Sequence, residues 1–128
     1  MYIVFINCDL FPFISWIISG KKLFETRNRN TLKSLIGKTV YLAETGKGKR
    51  PVIRCIATIE SSIVVQDMKT YNQYRKFTMV KKGSVFDFIP GKRKILYKLS
   101  NVQQIPAFVP CEGKRYGYSY MEYNGKQN

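Results

Sequence analysis

A chain of 128 residues, 45% hydrophobic and 14% aromatic, has room for one domain with a real core. That excludes a two-domain enzyme with a separate cofactor lobe and sets the chain outside the disordered range. Its 22 Lys and Arg against 8 Asp and Glu leave a formal charge of +14, and it has no histidine. Polyanions, nucleic acids foremost, are therefore the expected partners, and Ser-His-Asp and Cys-His nucleophile systems are excluded.

Tyr2 to Ile6 is an apolar run of strand length, and Asp9 is placed to cap a helix with Pro12 in its first turn. Leu10, Phe13, Ile14, Ile17 and Ile18 fall on one face at helical spacing, Phe11 and Trp16 widen that stripe, and Gly20 stands at the left-handed stop. Asn7, Asp9 and Pro12 interrupt the apolar start, so it reads as core rather than as a leader or a membrane span. The helix carries no Lys or Arg, unlike a membrane-surface helix, and no membrane partner is expected.

Lys22 to Arg27 alternates as a strand, which puts Glu25 and Arg27 on one face and Thr26 on the other. Asn28 to Asn30 is a polar turn, Thr31 caps one helical turn through Leu35, and Gly37 stops it. Lys38 to Glu44 is the next strand, followed by the basic loop Gly46 to Pro51. Val52 to Ile59 is the most β-branched stretch and reads as a central strand, which Ser62 to Gln66 either extends or pairs beside. Asp67 caps a helix bearing Met68, Tyr71, Tyr74 and Phe77.

Gly83 to Pro90 is a loop containing Phe86 and Phe88. Lys92 to Leu99 alternates as a strand, Ser100 and Asn101 break it, and Val102 to Val109 is a second extended stretch. The tail holds Gly113, Gly117 and tyrosines 116, 118 and 120 at strand parity. So many short strands with two helices make alternating βαβ units impossible, and the expected architecture is α+β, mainly β: one small barrel over residues 1–128 with two flanking helices.

Cys8, Cys55 and Cys111 lie far apart without CxxC spacing, which fits a reducing, cytoplasmic setting. With no histidine beside them, no metal is expected, and nothing calls for a cofactor.

The residues that concentrate chemistry are Gly20-Lys21-Lys22-Leu23-Phe24-Glu25-Thr26-Arg27, where the first helix turns into a strand. Two readings stand side by side: an ion pair closing the barrel end, or a ligand site. In the second, the carboxylate reads a base amine or ribose hydroxyl, the guanidinium grips a phosphate, and the ammonium supplies a cation or a base.

These eight residues fit the pattern G-x-K-x-x-E-x-R and resemble the ASCH domain family of the PUA-like superfamily. The Trp16-bearing helix before them, the strand Val40-Tyr41-Leu42-Ala43 after them, and the segment from Pro110 to Tyr118, which is one residue longer between its glycines than the family's closing P-x-x-G-x-x-G-aromatic segment, are similar to that family too. The resemblance implies a small β-barrel with a cleft around Lys22, Glu25 and Arg27, suited to RNA or a nucleotide-like ligand. It also implies an alternative: one branch is an amidohydrolase acting on acetylated cytidine with a Lys-Thr-Glu set, and some members are ribonucleases. The branch's Lys falls on Lys22, but its Thr falls on Glu25. A hydrolase using Lys22 and Glu25 needs a second acid near Lys22, for which Glu44, Glu60 and Asp67 are the candidates.

Outside the motif, Lys47, Lys49 and Arg50 are placed to neutralise a nucleic-acid backbone; their loop lacks P-loop spacing. Tyr116, Tyr118 and Tyr120, with Lys114 and Arg115, suit either a stacking platform for single-stranded RNA or the closing of the barrel. Lys81, Lys82, Lys92, Arg93 and Lys94 read as solvated loop charges. A tyrosine-rich protein-interaction domain is the remaining class, and it predicts an exposed aromatic patch away from the cleft.

Overall fold

The computed structural model describes residues 1–110, the main chain of 115–116, and residues 119–125. The apolar start forms β1 (Tyr2–Asn7), and the six-residue α1 (Phe13–Ile18) follows it. That helix is shorter than its hydrophobic spacing predicts. Pro12 disfavours helical backbone at Phe11, so the helix starts after the proline and Leu10 is left 64% exposed instead of joining the buried stripe. Nor does Asp9 cap it; its carboxylate is used elsewhere.

Next come β2 (Phe24–Arg27), a single 3-10 turn (Lys33–Leu35), β3 (Thr39–Thr45) and β4 (Val52–Val65). The Ser62 stretch thus extends the fourth strand. Asp67 caps α2 (Met68–Thr78) as expected, accepting from Thr70 N at 2.8 Å, and Met79 ends the helix at φ 57°.

β5 (Lys94–Phe108) runs straight through Ser100 and Asn101, where the sequence predicts a break. Asn101 takes φ 50°, and between the pairs Ile56–Gln103 and Thr58–Ser100 both Asn101 and Val102 face Ala57 alone, so the extra residue is absorbed as a bulge. Pro106 falls at a second register shift in the same ladder, where a missing N–H is tolerated. β6 (Arg115–Tyr116) and β7 (Tyr120–Glu122) close the chain, and Tyr116 lies directly opposite Tyr120. The tail is therefore a hairpin rather than one strand.

The strand order is β2-β5-β4-β3-β1-β7-β6, with β1 and β3 parallel and every other pair antiparallel. Long, bulged β4 and β5 curl this sheet around α1, burying Ile14 and Ile17 with Val4, Leu42, Ala57 and Tyr97 in the main core. The opposite face of β1 packs Ile3 and Phe5 against Met121 and Tyr123. α2 lays Tyr71 over Phe24, Phe88 and Leu96. The result is a barrel-like, mainly β fold whose ladder does not close among the described residues: β2 ends it on one side. No helix among those residues is long and apolar enough to cross a membrane.

Candidate ligand-binding cleft

The unclosed seam is where the motif lies. β1 and β2 are separated in the ladder by three strands, yet the curl brings them face to face. A cleft of about 510 Å3 opens between them, a volume within the roughly 300–1,000 Å3 usual for small-molecule sites. Its floor is formed by Phe5, Ile6 and Asn7 of β1 and by Glu25 to Asn28 at β2. Thr45, Gly46, Lys49 and Pro51 supply one rim, and Val85, Phe86 and Lys94 another, with Phe13 of α1 beneath.

Glu25 organises the polar floor. Its Oε2 receives Arg27 Nη2 at 2.9 Å, and its Oε1 accepts from the Thr26 N–H at 3.2 Å and lies 3.8 Å from Lys22 Nζ. The same Arg27 Nη2 donates to the Phe5 carbonyl at 2.6 Å, spanning the seam. Arg27 Nε is buried without a hydrogen-bond partner among the described residues. Thr26 joins the lining although its side chain alternates away from Glu25.

Lys22 meets Glu25 as expected but does not itself line the cleft. It is 1% exposed, donates to the Thr78 carbonyl at 2.6 Å, and holds its ammonium 4.5 Å from the centre of the Phe13 ring. Thr78 is the last residue of α2, so the ammonium satisfies a helix-terminal carbonyl. Burial lowers the Lys22 pKa to about 8; Glu25 pulls it back up, while Arg27 pushes it further down. The motif is thus an ion-pair network with one side turned to a cleft.

The basic loop divides. Lys49 lines the cleft, whereas Lys47 and Arg50 do not. Asp9, expected as a helix cap, instead accepts from the Lys47 N–H through both carboxylate oxygens, at 3.0 and 2.8 Å, and fixes the loop. Gly46 lies so close to Asp9 Oδ1 that a Cβ there would collide with it. Lys114, Tyr118 and Cys111 lie outside the described residues, as do the side chains of Arg115 and Tyr116. Tyr120 meets Tyr2 edge-on at 5.8 Å and Ser34 Oγ at 3.0 Å, which favours closing the sheet over stacking a base.

Lys94 is the residue that sequence reasoning missed. Read as a solvated loop charge, it is 4% exposed, lines the cleft, and donates to Asn28 Oδ1 at 2.8 Å. The signal for it was its place at the head of the apolar run Ile95-Leu96-Tyr97, two residues before buried Leu96. Phe86, packed edge-on against Phe13 at 5.3 Å, supplies an apolar wall that its loop position did not announce. The three acids expected as possible partners for Lys22 are engaged elsewhere: Glu44 with Arg54 at 3.2 Å, Glu60 with Lys98 at 3.1 Å, and Asp67 at the head of α2. Among the described residues, Glu25 is the carboxylate that pairs with Lys22.

Solved structures that share this architecture include three of the ASCH protein from Zymomonas mobilis. A serine-to-alanine variant superposes with a TM-score of 0.68 at 18% identity, covering 84% of this chain and 72% of that one. The ASCH protein itself gives 0.64 at 16%, covering 83% and 71%, and a tyrosine-to-phenylalanine variant gives 0.67 at 19%, covering 84% and 74%. No protein-family model matches the chain, and no curated protein sequence matches it. The chain has the ASCH, PUA-like fold.

Proposed function

We propose that this ASCH-fold chain is an RNA- or nucleotide-binding domain whose ligand seats in the cleft along the β1/β2 seam. The observation that carries the reading is the Glu25–Arg27 pair, 2.9 Å apart, facing an open cleft with Phe86 in its wall and with Lys49 and Lys94 beside it. A carboxylate that still has lone pairs to offer accepts from an exocyclic amine or a ribose hydroxyl, an aromatic edge bounds a base, and cations meet phosphate. The net charge of +14 supplies the long-range attraction that brings a polyanion to this mouth. A cytoplasmic setting fits the same reading, since the widely spaced cysteines suit a reducing compartment.

The test is RNA binding across a salt series, with nucleoside monophosphates as competitors and the Phe86 and Val85 methyl or ring resonances as reporters. Affinity falls steeply with salt, because phosphate neutralisation releases counterions. The competitors displace RNA and move the cleft resonances. Binding that is absent at low salt, or that proceeds with the cleft resonances unmoved, overturns the reading.

A hydrolase using Lys22 and Glu25 is the second reading, and what favours it is a lysine whose pKa of about 8 approaches the range of a working base. Against it, the ammonium does not line the cleft and has one carboxylate neighbour within ion-pair distance among the described residues. Mass spectrometry of acetylated cytidine and of RNA after incubation decides: turnover that disappears in Lys22→Met establishes the enzyme.

A further inference from the structure

We infer that Lys94 and Arg27 form a phosphoryl subsite within the cleft, so that the ligand is a nucleotide bound through its phosphate and not a neutral nucleoside. The inference rests on the nucleotide reading above and assigns one end of the same cleft.

Among the described residues, four charged side chains line the cleft, Glu25 against Arg27, Lys49 and Lys94. That carboxylate is already shared between Lys22 and Arg27, and it acts on Lys94 only from beyond ion-pair distance. Lys94 has one hydrogen-bond partner among the described residues, the Asn28 amide oxygen, and no carboxylate of theirs within ion-pair distance. The other acid that acts on it, Asp87, is held by Arg75 at 2.8 Å and by the Gly83 and Phe88 N–H groups at 2.8 Å. A buried ammonium with one neutral partner keeps two N–H bonds to give. Arg27, whose Nε is buried and unpaired among the described residues, belongs to the same lining.

The ladder sets these residues on neighbouring rungs. Arg27 stands opposite Ile95, so Asn28 and Lys94 are the next rung, where β2 ends and β5 begins. Side chains on successive rungs leave opposite faces of the sheet, so it is at the ends of the two strands that Arg27 and Lys94 both come to line the one cleft, and there a phosphoryl group accepts from both. Burying an unneutralised ammonium is unfavourable, and its pKa is lowered accordingly; an incoming phosphoryl group offsets that cost.

The experiment follows the Lys94 Nζ and Arg27 Nε resonances during titration with inorganic phosphate, then compares a nucleoside with its monophosphate by calorimetry, in the wild type and in Lys94→Gln. Phosphate is expected to produce saturable shifts at both nitrogens. The monophosphate is expected to bind about tenfold more tightly than the nucleoside, the worth of one charge-assisted contact. Lys94→Gln abolishes that difference, while Lys94→Arg keeps it, which separates charge from packing should the glutamine variant lose its fold. Unmoved resonances, or equal weakening of nucleoside and monophosphate, overturn the subsite. Phosphate binding at these nitrogens with no nucleotide binding upholds the anion subsite and removes the nucleotide reading. Nucleoside binding without any phosphate advantage does the reverse. A dinucleoside monophosphate that matches the mononucleotide identifies an internal RNA phosphodiester as the source; one that binds only as well as the nucleoside identifies a terminal phosphate.

Discussion

Arg27 Nη2 lies 2.9 Å from Glu25 Oε2 and, with the same nitrogen, 2.6 Å from the carbonyl of Phe5. One guanidinium therefore ties the free edge strand both to its own carboxylate and to a strand on the far side of the seam. The geometry of the cleft depends on that tie, because among the described residues no backbone ladder joins β2 to β1.

Glu25→Gln is expected to lower stability and nucleotide affinity together. Glutamine keeps the shape and one acceptor oxygen but leaves Lys22, whose side chain is 1% exposed, without its counter-charge. Removing one partner of a buried pair typically costs about 3–5 kcal/mol, and a loss near the lower end corresponds to a fall in Tm of roughly ten degrees for a chain of this size. Thermal scanning and binding measured on one preparation check it. An unchanged Tm would show that the pair does not hold the seam, and unchanged affinity would remove Glu25 from the ligand site.

Stability should carry a signature of Lys22 in alkaline solution. The folded-state pKa of about 8 lies below the ordinary 10.5, so between these values the unfolded chain holds the proton that the native chain has released. Stability contributed by this site therefore rises with pH across that window, and below it the charged form bears the full desolvation cost. Urea midpoints of the wild type and Lys22→Met, compared from about pH 7 to about pH 10.5, should shift in favour of the wild type as pH rises. A constant difference, or a Lys22 Cε resonance that titrates at the ordinary lysine value, would contradict it.

The loop cations should separate into two functional classes. Lys47→Ala with Arg50→Ala weakens all RNAs alike and reduces the salt slope by about one for each phosphate no longer neutralised, since neither side chain lines the cleft. Lys49→Ala instead weakens the mononucleotide competitor as well. Gly46→Ala drives a methyl into Asp9 and should reproduce part of the Lys49 effect while speeding hydrogen exchange at the Lys47 amide. Equal behaviour of Lys49→Ala and the double variant in mononucleotide binding would return the whole loop to nonspecific contact.

Much of the architecture was legible along the chain because it is written in local chemistry. Two-residue alternation put Glu25 and Arg27 on the same face, a carboxylate at Asp67 capped α2, and glycines 20 and 37 took positive φ where turns need it. Where local signals competed, proximity misled. Asp9 had the look of a helix cap but stands before a proline that delays the helix, and its oxygens went to the amide of a loop 38 residues away. Asn101 had the look of a strand break, but a bulge absorbs one awkward residue when both flanking segments pair with the same neighbour.

Spacing along the chain was enough to bring Lys22, Glu25 and Arg27 together, since a helix stop followed by a regular strand sets their positions within six residues. It was enough for the long-range field too, which depends only on counting charges. Which of these groups faces a ligand was settled by folding in three dimensions. Lys22 lies under the end of a helix begun 46 residues later, and Lys94, 66 residues beyond Asn28, came to the cleft that Lys22 does not line. A lysine's exposure is set by what the curled sheet lays over it, and that curl is the sum of twists and bulges along β4 and β5 that no local pattern encodes.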